Sequence, residues 1–459
     1  MEDLKRVYIR TFGCQMNVYD SDRMYEVLRQ ENFVQTADPA HADLILLNTC
    51  SVREKAEDKA WSMLGRYALL KERNPDLLLG IGGCMATRAG ETLFKNGSPL
   101  DIVFGPDNIE ELPQLIQDAQ VRRGSRSSSV RFLPRSEYRF PHAEAPADGR
   151  VTAMVTVMKG CNKFCSFCIV PYTRGREVSK PPQEVVQEVE RLVDGGVKEV
   201  MLLGQNVNSY GQDLDIKGYD LRFSDLLSQV NDVKGLERIR FTTSHPWDAT
   251  EDLATSFRDL EKLCPYLHLP LQSGSDRVLQ RMRRGYSYAS YMEKIHRLRE
   301  CRPDIALSTD IIVGFPGEND EDFQATIDAL KEAQYDSLFI FKYSPRPGTA
   351  AARLEDTVPE NTKQERLEEV LRVQAVFTEA ALRSTVGSSV DVLVEGLSSR
   401  QRMEPGLIQM KGRTDKNVIV NLDVPGEKVS PHELVGSLVS VRIDKACAHS
   451  LAGTLLTSE

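Results

Sequence analysis

Long apolar runs are missing from this chain. Its most apolar stretches, LILLNTC and VMLLG, are strand-sized, well short of the ~20 residues that a membrane-spanning helix needs. The start, MEDLKRVYIR, carries no apolar segment of the signal-peptide kind and runs into a predicted strand. A cytoplasmic protein with no membrane partner is expected. A basic excess is missing too: 58 Lys and Arg stand against 67 Asp and Glu, a net charge of −9. That excludes a generic nucleic-acid binder unless basic charge is gathered locally. The nine cysteines are an odd number, and in a chain of cytosolic type metal or redox chemistry outranks disulfides. One further absence is more informative. KGCNKFCSFCIVPYTRG, residues 159–175, holds Cys161, Cys165 and Cys168, yet no further cysteine follows before Cys264 and no histidine before His245. A structural tetrahedral metal site needs four protein ligands, and this loop offers three.

What is present divides the chain into blocks. At 459 residues it has ample length for about two to four domains. RVYIRTFG, ADLILLNT and DLLLGIGG are short apolar runs separated by helical patterns, which predicts an open parallel α/β sheet over 1–120. Residues 121–150 are rich in Ser, Pro and Arg without any period, and hold seven Arg against three acids. They read as an Arg-rich linker, one suited to touching something anionic. From 151 to 385 six strand-like runs alternate with helical ones: VTAMVTVMKG, EVMLLGQN, RIRFTTSH, YLHLPLQ, IALSTDIIVGFPG and SLFIFKYS. That predicts a partial or full TIM-like (β/α) barrel, with its active site at the C-terminal strand ends. A charged helix over roughly 360–384 leads to 386–459, where four short β-type runs predict a small all-β barrel of the OB-like kind.

The cysteine loop follows a predicted barrel strand, so it is expected at the catalytic rim. An iron–sulfur cubane suits three ligands: three thiolates hold three irons, and the fourth iron stays open to a substrate. Gly160 relaxes the chain on entry, and Phe167 shields the site from water. Cys14, Cys50 and Cys84 lie 36 and 34 residues apart, which fits no finger or ribbon. Each, however, follows one of the three N-terminal strands. Parallel strands put their C-terminal ends along one edge, so the three are expected to converge, with Gly13 and the Gly82-Gly83 pair allowing tight turns. The alternatives are three ordinary buried cysteines or a second three-cysteine cluster. Cys264, Cys301 and Cys447 share no spacing and read as core or surface residues.

C-x3-C-x2-C with an aromatic before the last cysteine resembles the radical S-adenosylmethionine (SAM) signature. The order of cluster domain, radical-SAM core and terminal barrel resembles the methylthiotransferases over nearly the whole chain, the barrel being similar to the one called TRAM. TFGCQMNVYDS is similar to the tRNA branch, the MiaB type, while LHLPLQSGSD, DIIVGFPGE and SPRPGTAA are shared more widely. The resemblance implies two [4Fe-4S] clusters, each with three Cys ligands: Cys14, Cys50 and Cys84 for one, Cys161, Cys165 and Cys168 for the other. It implies SAM used twice, once to methylate a sulfur on the N-terminal cluster and once to yield a 5′-deoxyadenosyl radical. The expected reaction is methylthiolation of carbon 2 of isopentenyladenosine beside the anticodon. An aromatic C–H has no useful acidity, so a radical route suits where acid–base catalysis would not. The other branches act on a ribosomal-protein aspartate or on threonylcarbamoyl-adenosine in tRNA. A non-catalytic iron–sulfur RNA-binding module is a further alternative, which the open irons disfavour. Expected partners are the tRNA anticodon stem-loop and a reductant such as flavodoxin or ferredoxin, with the protein a monomer.

Residues near predicted strand ends are candidates for SAM: Gly204, Gln205, Asn206, Ser244, Gln272, Thr309, Asp310 and Glu318. Turn and cap chemistry is the alternative for each. Arg174 is a candidate for the SAM carboxylate or for a surface acid. For RNA, Arg277, Arg281, Arg283 and Arg284 precede Tyr286, Tyr288 and Tyr291, a pattern suited to phosphates and unpaired bases; a solvated helix face with core tyrosines is the alternative. The terminal barrel offers Arg400, Arg402, Lys411, Arg413 and Lys416, within a balance of eight basic to nine acidic residues.

Overall fold

The computed structural model describes residues 4–51, 54–95, 97–121, 125–140, 149–214, 220–399, 407–425 and 430–456. The chain forms two compact units. The first comprises Met1–Pro141, Lys159–Val178 and Arg346–Ala350, and the second comprises His142–Met158, Ser179–Pro345 and Ala351–Glu459. No described helix is long and apolar enough to cross a membrane.

The first unit is built on a six-stranded sheet, β1 (Lys5–Phe12), β2 (Phe33–Gln35), β3 (Leu44–Thr49), β4 (Leu78–Gly82), β5 (Ile102–Phe104) and β6 (Ser127–Ser129). All pairings are parallel and the order is β2-β1-β3-β4-β5-β6. Helices α1 (Gln15–Gln30), α2 (Glu54–Arg73), α3 (Cys84–Ala89) and α4 (Leu112–Val121) connect or cover it. LILLNT is buried at every position, as a central parallel strand covered on both faces must be. Leu44 and Leu46 pack with Met24, Leu28 and Leu115 on one face; Ile45 and Leu47 pack with Leu64 and Tyr67 on the other. The Arg-rich segment is more than a linker. Ser127–Ser129 adds the edge strand β6 beside β5, and Arg126 donates to the carbonyls of Phe94 and Ser98.

The second unit begins with β7 (Thr152–Thr156). Two-residue strands β8 (Met158–Lys159) and β9 (Val178–Ser179) flank the cysteine loop in sequence, with α5 (Val170–Thr173) between them. Then α6 (Pro182–Asp194), β10 (Glu199–Leu203), α7 (Phe223–Asn231), β11 (Arg238–Phe241), α8 (Glu251–Asp259) and β12 (Tyr266–His268) follow. They are succeeded by α9 (Asp276–Arg281), α10 (Tyr288–Cys301), β13 (Ala306–Val313), α11 (Asp320–Ala333) and β14 (Ser337–Lys342). β7, β10 and β11 pair in parallel, as do β12, β13 and β14, and an Ile239–Leu263 bridge joins the two sets. Among the described residues nothing pairs β14 with β7, so the expected barrel is a partial one. Val200, Leu202, Ile239, Leu267 and Ile311 belong to the apolar core with the helices. The alternate residues, Glu199, Arg240, His268, Ser308 and Asp310, point to the opposite face.

Helix α12 (Glu360–Arg383) leads into a closed five-stranded barrel, β15 (Ser389–Leu397), β16 (Leu407–Thr414), β17 (Ile419–Pro425), β18 (Leu438–Ala446) and β19 (Ser450–Leu455). The sequence suggests four strands; β19 is the fifth and closes the barrel by pairing with both β17 and β18. Arg238 donates to the carbonyls of Arg413 and Asp391, and Arg240 to those of Asp415 and Thr414. Lys416 reaches Asp304 at 3.5 Å, just before β13. The small barrel is thus fastened at the strand starts of the large one, opposite the end where such barrels place their chemistry.

Candidate functional site

β1, β3 and β4 are sheet neighbours, with Phe12 opposite Thr49 and Asn48 opposite Gly82. Cys14, Cys50 and Cys84 follow these ends and therefore lie at nearly the same level of one sheet edge. Two glycines permit the approach. A Cβ on Gly13 would lie 2.7 Å from the Cys50 Cβ, and one on Gly83 would lie 2.5 Å from Asn48 Oδ1. Gly83 also has φ +90°, the region that glycine alone enters freely. Cys14 caps α1: its N–H and its thiol both point to Asn17 Oδ1, at 3.3 and 3.4 Å. Asn17 Nδ2 donates to Asn48 Oδ1 at 3.2 Å, and Asn48 Nδ2 donates to Asn17 O and Ser21 Oγ. The hydrogen bond with Cys50 and the Arg174 charge together bring the Cys14 thiol down to about 6, against the desolvation of its sulfur by neighbouring groups, although the residue as a whole is exposed. Cys84 is raised by burial, which Arg174 opposes.

The second set lies in the loop between β8 and α5. Gly160 has φ +77°, and a Cβ there would meet Arg176 O at 2.0 Å, so the entry requires glycine. Cys161 N–H donates to Gly175 O at 3.1 Å, and Cys168 N–H to Cys165 O at 3.0 Å. Asn162 closes the loop through Glu177. Cys165 is buried while Cys161, Phe167 and Cys168 are half-buried. Burial pushes the Cys161 thiol up to about 12. The loop belongs to the same unit as the N-terminal cysteines, and α3, which opens on Cys84, packs against α5.

Arg174 pairs with an acid, as one of its two expected roles has it, but the acid is buried and not at the surface. Arg174 is itself buried and forked on Asp20, Nη2–Oδ2 2.5 Å and Nη1–Oδ1 3.2 Å. Its Nε donates to Cys84 Sγ at 3.1 Å. A second buried pair lies in this unit, Lys159 with Asp107, and the Lys159 ammonium stands 3.6 Å from the Tyr138 ring centroid. Asn17, Asp20 and Ser21 are site residues that the sequence reading missed. Their signal was the helical spacing from Cys14, which puts all of them on one face of α1.

Among the described residues no three His, Cys, Asp or Glu side chains are arranged to hold a single metal ion. A cubane makes a different demand, since each thiolate takes its own iron. Three thiols brought to one edge from three separate strand ends fit that demand, as does the C-x3-C-x2-C loop.

The SAM candidates in the second unit divide. Ser244 Oγ and Gln272 Oε1 are buried and lack a hydrogen-bond partner among the described residues, a cost that a bound polar ligand removes. Gln272 and Thr243, which precedes Ser244, have φ of 76° and 69°, strained for such residues. Asn206 Nδ2 donates to Asp248 at 2.8 Å. A Cβ on Gly204 would meet Met158 Cγ at 2.6 Å; Gln205 beside it is half-buried. Asp310, half-buried, faces His268 Nε2 at 3.5 Å. Thr309 and Glu318 are otherwise committed. The Thr309 hydroxyl donates to Leu269 O and accepts from Leu271 N–H. Glu318 accepts from Gly314 N–H and from Arg366 at 2.7 Å, closing the turn after β13 instead of reaching outward.

The RNA candidates divide similarly. Arg283 is exposed; Arg281 is exposed as well, but its Nε donates to Pro316 O at 3.1 Å. Arg277 is also exposed but bonded to Asp322 and to Gly317 O. Arg284 is buried and donates to Tyr286 and to Pro270 O; Tyr286 in turn donates to Leu271 O at 2.9 Å. These two brace the end of β12, whose carbonyls need donors, and do not form part of an exposed patch. Tyr291 is fully buried and bonded to Leu269 O, and Tyr288 to Glu332. Arg413 is held by Glu395 at 3.0 Å and by Asn417. Arg400 and Arg402 lie outside the described residues. Trp247, 58% exposed against Gly285, was missed; an exposed tryptophan at a strand-end loop, one of only two in the chain, was the available signal.

Family models match in three places: the Radical SAM superfamily over residues 155–330, the TRAM domain over 383–456, and Uncharacterized protein family UPF0004 over 6–105. The tRNA-2-methylthio-N(6)-dimethylallyladenosine synthase of Syntrophus aciditrophicus is 45% identical over 457 residues, covering 100% of this chain and 96% of that one. The protein of the same name from Geobacter sulfurreducens is 46% identical, covering 100% and 99%. Among solved structures, the radical S-adenosylmethionine methyltransferase TsrM from Kitasatospora setae is similar with a TM-score of 0.54 at 16% identity, over 76% of this chain and 75% of that one. That last likeness concerns the fold alone. On full-length identity to its curated relatives, the chain belongs to the family of radical-SAM tRNA-2-methylthio-N(6)-dimethylallyladenosine synthases.

Proposed function

We propose that the protein transfers a methylthio group to carbon 2 of N(6)-dimethylallyladenosine beside the anticodon of tRNA. One observation carries this reading. Three cysteines gathered from three neighbouring strand ends share a compact unit with the C-x3-C-x2-C loop. In it Cys14, Cys50 and Cys84 hold one [4Fe-4S] cluster and Cys161, Cys165 and Cys168 another. When bound, the clusters supply the electron that cleaves SAM and the sulfur that is transferred. The protein's own work is binding, orientation and exclusion of water. Asn17 and Asn48 fix Cys14. Phe167 covers the loop. Ser244 and Gln272 take polar groups of SAM, with Gly204 leaving room and Asp310 accepting a hydrogen bond. Arg281 and Arg283 meet RNA phosphates, and Trp247 offers a stacking face to an unpaired base. The reductant is a one-electron donor of the flavodoxin or ferredoxin class, and the protein works in the cytoplasm as a monomer.

The test is mass analysis of nucleosides from dimethylallylated tRNA incubated anaerobically with the reconstituted protein, SAM and a reductant. A methylthio nucleoside is expected. No product on tRNA, with methylthiolation of a ribosomal protein instead, would overturn the substrate.

A further inference from the structure

We propose that Arg174 is a positioning residue that sets the reduction potential of the N-terminal cysteine site and ties that site to the cysteine loop. The inference rests on the reading that Cys14, Cys50 and Cys84 hold a cluster. Three contacts support it. Arg174 Nε donates to Cys84 Sγ at 3.1 Å. Both Nη groups are fixed by Asp20, which projects from the helix that Cys14 caps. Arg174 also ends α5, the helix that follows Cys168 and packs against the helix opening on Cys84. One guanidinium is therefore attached through the chain to one cysteine set and through a hydrogen bond to the other.

Hydrogen bonds and charge at ligand sulfurs tune such clusters. Reduction adds negative charge beside a buried cation, so Arg174 favours the reduced state. Asp20 does the reverse, since its carboxylate offsets the guanidinium. The two residues act on the potential with opposite signs although they form a single ion pair. A role confined to stability predicts no such opposition, because breaking the pair from either side is destabilising.

The test uses the full chain with Cys161→Ala, Cys165→Ala and Cys168→Ala, so that the N-terminal site alone takes up iron. That protein is expected to load about four irons per chain. Its midpoint potential is followed by spectroscopic titration, with iron counted in every variant. Arg174→Met is expected to lower the potential by about 59 mV or more, the one-electron equivalent of a tenfold change. Asp20→Asn is expected to raise it. If Arg174→Met does not load iron, Asp20→Asn decides: a rise supports the proposal, and an unmoved or lowered potential overturns it. Unmoved potentials in fully loaded variants overturn it as well. A background protein without iron overturns the cluster reading and the inference together. Failure of the tRNA reaction alone leaves the potential shifts in place.

Discussion

The two cysteine sets reach the same count of three ligands by opposite routes. Cys161, Cys165 and Cys168 sit within eight residues of chain, and the loop turns on left-handed backbone at Gly160 and Phe164, with closure by Gly175 and Asn162. Cys14, Cys50 and Cys84 are spread over seventy-one residues and meet because β1, β3 and β4 are neighbours in one parallel sheet. The first site is a property of local sequence. The second is a property of topology, and every residue that keeps the strand ends level contributes to it. The surroundings differ as well. The loop set has backbone and the Asn162–Glu177 pair beside it, whereas the sheet-edge set has a polar network of Asn17, Asn48, Asp20 and Arg174.

That contrast makes separable predictions. The largest effect belongs to Cys161→Ala: 5′-deoxyadenosine formation should fall to background, while iron at the sheet-edge site remains. Persistent SAM cleavage would contradict the role given to the loop. Replacing Cys14, Cys50 and Cys84 together by Ala should remove the methylthio product but leave SAM cleavage running without transfer, read by quantifying both products. Next come the two glycines. Gly160→Ala and Gly83→Ala each force a side chain into a left-handed backbone and a close contact, at a cost of about 1–3 kcal/mol for the backbone alone. Each should lower iron content by roughly half, at its own site only; equal loss at both sites would blur the distinction between local and topological assembly. The smallest effect is in thiol reactivity of the iron-free protein. Cys14 is lowered to about 6 and Cys161 raised to about 12. The thiolate is the reactive form, so Cys14 alkylation should rise as pH increases through about 6 and level off above it. Cys161 should stay slow throughout the neutral range. Peptide mass analysis across pH reads both.

The same contrast explains what the sequence made legible. The loop was visible as spacing. The three strands that precede Cys14, Cys50 and Cys84 were visible because each is a run of five or more residues with a recurring apolar pattern, as are β7, β10, β13 and β14 of the larger barrel. β2, β5 and β6 have three residues each, too few to carry a period, and β6 lies in a polar Ser-rich stretch that reads as linker. Side-chain direction was harder. Arg284 and Tyr286 have the composition of an RNA patch, but the carbonyls at the end of β12 claim them. Glu318 follows β13, where a ligand-binding residue is expected, and Thr309 lies within that strand, yet Arg366 and Leu271 engage them. The Arg174–Asp20 pair joins positions 154 residues apart, a contact that no local pattern announces.

Iron stoichiometry separates a two-cluster protein from a one-cluster protein. After anaerobic reconstitution the full chain should carry about eight irons, and about four once Cys14, Cys50 and Cys84 are all replaced by Ala. About four in the unaltered chain, unchanged by that triple replacement, would mean that the sheet-edge cysteines hold no cluster.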